Sequence, residues 1–311
     1  MFFYFRMPEI EKEDSISIFL YLYPICRIFL IFLNISQNVH SFSLTYVFFV
    51  FIIVYTQYSC FLSFALHYTY KNTGGFYMDF WLMWYDNSFT VLLMVIGFLL
   101  VLFAQIRINS AYSKYRRIQN YKGLTGYEVA KTILNANGLS DIEVYKTSGN
   151  LTDHYDPSKK LIRLSSAIYN GTSIASMAVA AHECGHAIQD KENYIFFKIR
   201  SFLVPIVNFI SYLGYFGLIV SLIGGLTGYI KLSILILFAT VVFQLVTLPV
   251  EFDASRRGKK QLDMLNLSFE QDNSGIKSVL GAAAMTYVAG LLSSILQLLR
   301  LVLILGSRDR D

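Results

Sequence analysis

From Phe89 onward, four long apolar stretches alternate with polar segments. Phe89–Ile106 runs eighteen residues with no charge and one Gln, enough for a helix to cross a bilayer. Phe202–Ile223 and Leu232–Val250 are two more such stretches. Gly224-Gly225-Leu226-Thr227-Gly228 between them reads as a turn, so the pair predicts a transmembrane hairpin. Gly281–Leu305 is the last, with Gln297 and Arg300 inside it; an arginine there can snorkel or pair within a bundle. Arg107, Lys114, Arg116, Arg117 and Lys122 follow the first stretch, and Arg256, Arg257, Lys259 and Lys260 follow the third. By the positive-inside rule both flanks face the cytoplasm. Two spans return the chain to the side it left. Glu251 is therefore expected on the same side as residues 107–200.

Between Arg107 and Arg200 the pattern becomes that of a soluble domain. Thr125-Gly126-Tyr127-Glu128 reads as a capping box that opens a helix over Val129, Ile133 and Leu134, and Asn137-Gly138 closes it. Ile142–Thr147 and Leu161–Ser165 read as two strands, joined through Asn150–Lys160 with Asp156-Pro157 as a turn signal. The second strand offers an edge on which an extended peptide could pair. Gly171, Thr172 and Ser173 then lead into an Ala-rich helical segment, and Glu251–Leu267 reads as largely helical despite Gly258. The predicted fold is mainly α: a multi-pass membrane protein with a small α+β domain. The expected units are a span over 78–106, a cytoplasmic-facing domain over 107–200 and the hairpin over 201–250. A helix and linker over 251–280 and a C-terminal span over 281–311 complete them.

Composition agrees with a membrane protein: 55% of residues are hydrophobic and 15% charged. A net charge of +5, with basic residues clustered beside apolar segments, is too small to argue for nucleic acid, and no nucleic-acid partner is expected. Cys26, Cys60 and Cys184 have no paired spacing and predict neither a disulfide framework nor a second metal site. Residues 1–77 stand apart. They hold 22 of the chain's 50 aromatic residues, and their Phe, Tyr, Ile and Ser bias resembles translated AT-rich DNA. Acidic residues at Glu9, Glu11, Glu13 and Asp14 argue against a signal peptide. The expectation is that Met78 is the natural start; the rival is a pair of extra spans near Ile16–Leu33 and Phe42–Leu66.

The chemistry concentrates in His182-Glu183-Cys184-Gly185-His186, which fits H-E-x-x-H. On a helix, His182 and His186 share a face and can offer two imidazole nitrogens to one metal ion, with Glu183 within reach of a water there. Zinc suits imidazole and lowers the pKa of a bound water to about 7, and Glu183 is the candidate general base for attack on a peptide carbonyl. Cys184 points to the far side of such a helix and reads as a packing residue. A catalytic zinc needs a third protein ligand. Glu251, where an apolar stretch ends, is the outstanding downstream carboxylate. His154, between the two strands, is an alternative ligand or a stabiliser of the oxyanion; the remaining histidines are His40 and His67.

Gly123-Leu124-Thr125-Gly126-Tyr127-Glu128-Val129-Ala130, Leu151-Thr152-Asp153-His154-Tyr155-Asp156-Pro157, the Ala-Ala-His-Glu-Cys-Gly-His-Ala-Ile-Gln run, and Phe243–Arg257 together resemble the bacterial YugP-type neutral zinc metallopeptidases. The resemblance covers roughly Met78 to Leu305. That family is similar to membrane gluzincins of the HtpX and CAAX-prenyl-protease type. The resemblance implies a zincin-like domain, one zinc ion per chain, a plasma-membrane location, and a Glu on a later helix as third ligand, which maps onto Glu251. Those enzymes often carry an Asp four residues after that Glu. Here that position is Ser255 and the nearby acid is Asp253, a candidate for orienting a ligand.

The leading expectation is a membrane zinc endopeptidase acting on a membrane-associated peptide or protein. Its ligands are His182, His186 and Glu251, and its base is Glu183. Hydrolysis of a non-peptide amide is the rival within enzymes. A catalytically silent scaffold or transporter component is the rival outside them, disfavoured because most spans lack charge at mid-membrane.

Overall fold

The computed structural model describes residues 88–149, 152–224 and 229–308. The expected start at Met78, the two early apolar segments, His40, His67 and the Gly225–Gly228 part of the turn lie outside the described residues.

Each of the four apolar stretches falls inside one helix. Helix α1, Ser88–Tyr115, carries the first. Its Phe89, Leu92, Phe98, Leu99, Phe103 and Ile106 are all exposed. Apolar exposure around a helix on this scale suits lipid, not water. Helix α2, Gly126–Ala136, opens on the expected capping box: Thr125 accepts from Glu128 N, and Glu128 accepts from Thr125 N. Gly138 closes it at φ +63°, a conformation in which a Cβ is strained.

Three strands follow: β1, Glu143–Thr147; β2, His154–Asp156; and β3, Leu161–Ser165. Both expected strands are present, but they do not form one hairpin. β1 pairs with β3 in parallel, and β2, inside the expected connection, pairs with β3 antiparallel. β3 is therefore central, and its expected free edge is already occupied on both sides. The outward edge nearer the next long helix belongs to β2. The cause is local: Asp156 accepts from Ser158 N and Lys159 N and tightens a turn that reverses the chain onto β3.

Helix α3, Ser166–Tyr169, leads to α4, Ile174–Lys191, whose N-cap Ser173 accepts from Ser176 N. α4 carries the H-E-x-x-H residues and is almost wholly buried. Its Ala175, Met177, Ala178 and Ala181 pack with Ile133, Leu134, Ile162, Leu164 and Ile168 into the core of the polar domain. Cys184 is part of that core, its thiol donating to Ala130 O at 3.6 Å.

After a break of three residues the chain turns by 98° into α5, Ile195–Gly224. Helix α6, Tyr229–Met264, returns without interruption through Pro249, Glu251 and Gly258. Helix α7, Glu270–Arg308, ends the described chain. The apolar helices Phe89–Tyr115, Leu232–Met264 and Glu270–Leu303 are each long and apolar enough to cross a membrane; the bent pair of α4 and α5 would make a fourth. The molecule is a mainly helical multi-pass membrane protein with a small three-stranded sheet. α7 packs along α1 and α6, and α6 packs across α4. Within the apolar layer Gln244 of α6 donates to Ser294 of α7 at 3.0 Å, a polar tie of the kind that holds membrane helices together.

The crossing of α4 and α6 depends on two glycines. A Cβ at Gly185 would strike the Ala254 carbonyl, and one at Gly258 would strike the Ala181 carbonyl. The backbones approach closely only because both side chains are absent. This crossing sets Glu251 beside His182 and His186.

Candidate metal centre

Residues distant in sequence converge at that crossing. His182 and His186 lie one turn apart on α4, their rings 4.8 Å apart and nearly perpendicular at 83°. Glu251 comes from α6 and is 2% exposed. Its Oε2 lies 3.3 Å from His182 Nε2 and 3.7 Å from His186 Nε2. One ligand atom from each of the three residues falls within 4.8 Å of the others.

These residues fit a metal ion. Glu251 Oε2 is buried without a hydrogen-bond partner, an arrangement that costs free energy unless something else binds the atom. The two Nε2 atoms that face it also carry lone pairs. Gln189 Nε2 donates to Val250 O at 2.8 Å and to Asp253 Oδ2 at 2.9 Å. That leaves its Oε1 as the acceptor 3.0 Å from His186 Nδ1. His186 therefore carries its proton on Nδ1, and Nε2 is free to ligate. On His182 the Nδ1 atom meets Ser255 Oγ at 3.1 Å, and its other nitrogen, Nε2, faces Glu251. Two imidazoles and one carboxylate form a donor set typical of zinc with an open fourth position.

Glu183 is buried beside this cluster on the β2 side. Its Oε2 accepts from Tyr155 N at 3.0 Å. The outward edge of β2 thus points at Glu183. Next to it, half-buried Asp153 accepts from Ser165 N at 2.6 Å; desolvation pushes its carboxyl up to about 6, with the Glu183 charge adding in the same direction.

His154 does not join the cluster. It lies on β2, with Nδ1 2.8 Å from Thr152 O and Nε2 3.3 Å from Arg163 Nη1. Asp253 is not at the cluster either. It meets the site through Gln189 and is held by Arg256 and Arg257. Its carboxyl is held below the ordinary range; burial opposes this, and the contacts with Arg256, Gln189 and Arg257 outweigh it.

Three contributors escaped the sequence reading. Ser255 and Gln189 each back one histidine. Ser255 stands where the resemblance expects an acid, so the place is kept by a weaker, uncharged partner. The third is Arg200 on α5, whose Nη1 lies 3.0 Å from Glu251 Oε1. It takes one carboxylate oxygen and leaves the other facing the histidines. The available signal was its place as the last charge before the apolar stretch at Phe202. Phe197, one turn earlier, stacks toward His186 at 6.0 Å and Tyr155 at 6.4 Å. The first turns of α5 therefore form a wall of the site. Tyr287 of α7 lies near enough to interact with Glu251, Arg200 and Glu183.

A family model described as "Putative neutral zinc metallopeptidase" matches residues 90–306. "Putative membrane protease YugP" of Bacillus subtilis (strain 168) is 41% identical over 209 residues, covering 67% of this chain and 93% of the relative. No solved structure is a significant match. The match takes in all or nearly all of every helix and strand described above, and the chain belongs to the family of "Putative neutral zinc metallopeptidase" proteins.

Proposed function

We propose that this chain is a membrane-embedded, zinc-dependent endopeptidase that cleaves membrane-associated peptides or proteins. One zinc ion per chain would be held by His182, His186 and Glu251. The observation that carries this reading is the buried, unpartnered Glu251 Oε2 facing two imidazole Nε2 atoms. A zinc ion there supplies a Lewis acid and lowers the pKa of a bound water.

The chain's own residues would do the rest. Glu183 is the general base. Tyr155 N–H holds its Oε2 and leaves Oε1 to accept a proton from the attacking water and return it to the leaving nitrogen. The outward edge of β2 offers main-chain groups to an extended peptide lying alongside Glu183. Gln189 and Ser255 fix the two imidazoles, and Asp253 fixes Gln189. His154 is assigned no ligand role. Basic residues after Phe89–Ile106 and after Glu251 place the site on the cytoplasmic side of the cell membrane in this reading.

Removing metal tests the proposal. Treatment of the purified full chain with a zinc chelator should abolish hydrolysis of a peptide substrate, and added zinc should restore it. Hydrolysis that survives complete chelation would overturn the reading.

Arg200 is expected to act as a positioning residue. Arg200→Gln should weaken zinc affinity by about 10–100-fold, the usual cost of losing a group that orients a ligand. Arg200→Lys, which keeps the charge but not the planar fork, should recover part of it. Cobalt substitution gives a second readout, because its visible absorption bands report ligand geometry and should shift in Arg200→Gln. Unchanged affinity and bands would show that Glu251 needs no such partner.

A further inference from the structure

A second site lies at the other end of α4. A cavity of about 310 Å³ opens between the end of α1 and the start of α4. It is lined by Arg116, Arg117, Gln119, Thr172, Ser173 and Ser176; Ser173 Oγ caps α4 and Ser176 Oγ donates to Ala167 O. No acidic side chain lines it. Among the described residues neither arginine enters an ion pair. Asp153, whose charge reaches Tyr112, another lining residue, is engaged by Ser165.

We propose that this cavity binds the phosphate group of an anionic membrane phospholipid. Three features support that ligand class. Guanidinium groups with hydroxyl and amide donors are the chemistry that binds phosphate. Arg116 follows the helix that carries the apolar stretch Phe89–Ile106, so the cavity opens on the flank of the polar domain nearest the membrane. Basic pockets beside membrane helices on the cytoplasmic side are where such headgroups bind. The chain carries other basic residues at this rim, Lys114 and Lys122 among them, that do not line the cavity. A general topological charge does not account for a pocket that gathers two arginines beside Gln119 and Thr172.

The site would also brace the catalytic domain. Ile174 N donates to Ile118 O at 2.9 Å and Asn120 N to Thr172 O at 2.8 Å, so the segment after α1 is already tied to the entry of α4. A headgroup held by Arg116, Arg117 and the Ser173 turn spans the same junction. A ligand that binds only the folded state raises the melting temperature.

The test uses the full chain in neutral detergent, titrated with short-chain phosphatidylglycerol, short-chain phosphatidylcholine or sodium phosphate. Native mass spectrometry reads occupancy and a thermal melt reads stabilisation. The expected result is saturable binding of one phosphatidylglycerol with a raised melting temperature, and no such effect of phosphatidylcholine. The double variant Arg116→Gln, Arg117→Gln should weaken that binding about 30-fold, the factor two basic groups supply at a lipid surface. Lys114→Gln, Lys122→Gln should change it less than about threefold. Both pairs are exposed, so the variants should fold. Equal losses in both double variants, or none in the arginine pair, would overturn the site. Stabilisation by sodium phosphate as strong as that by phosphatidylglycerol would overturn the lipid as its ligand.

Discussion

Glu251→Gln should empty the metal centre while leaving the fold intact. The substitution keeps the volume of a side chain that is 2% exposed, and it keeps an oxygen able to accept from Arg200. It removes the negative charge that faces His182 and His186 at 3.3 and 3.7 Å. A neutral amide is a poor zinc ligand, so the two imidazoles alone must hold the ion. The loss in affinity should exceed the roughly 10–100-fold that an orienting partner is worth. Asp253→Ala should fall within that smaller range, because it acts on His186 only through Gln189. Metal content and chelator competition measure both. If Asp253→Ala strips the metal and Glu251→Gln keeps it, the ligand assignment on α6 is wrong. If His154→Ala alone strips it, the third ligand is on β2, and α5 and α6 serve only as an anchor.

Glu183→Gln should keep the metal and lose hydrolysis. The amide oxygen can still accept from Tyr155 N–H, and neither histidine is disturbed. What disappears is a carboxylate able to take and return a proton, worth about 10²–10⁴-fold in rate. The comparison that matters is rate per bound zinc, which removes any contribution from occupancy. Turnover near the wild-type value in a fully loaded Glu183→Gln protein would leave the proposed chemistry without its base. It would also reopen the rival in which the chain is a silent membrane component.

Much of this architecture is legible in the residues. The apolar stretches coincide with helices because a backbone in lipid must satisfy its own hydrogen bonds. The capping box at Thr125 and Glu128 marks α2 within a residue or two, since its signal is local. Two apolar stretches in succession return the chain to the side it left, which is where Glu251 is expected beside His182 and His186, and the three residues do meet. Other features rest on contacts that no local pattern encodes. The parallel pairing of β1 with β3 depends on β2, a three-residue strand too short to show alternation. Gly258 reads in sequence as a weakness within a helix, whereas in the fold it is one of the two glycines that let α6 lie close against α4. Arg200 is visible only as a charge at the head of an apolar stretch. Its value comes from the 98° turn that swings α5 against α6. Ser255 and Gln189 gain meaning only once the same crossing fixes which atoms face the imidazoles.

The account rests on one metal ion bound by two helices that cross. The most direct test is the zinc content of the purified full chain, beside that of the double variant His182→Ala, His186→Ala. The account predicts about one zinc per chain in the first and essentially none in the second. Stoichiometric zinc retained in the double variant, or none in the wild-type protein isolated without chelators, would contradict it.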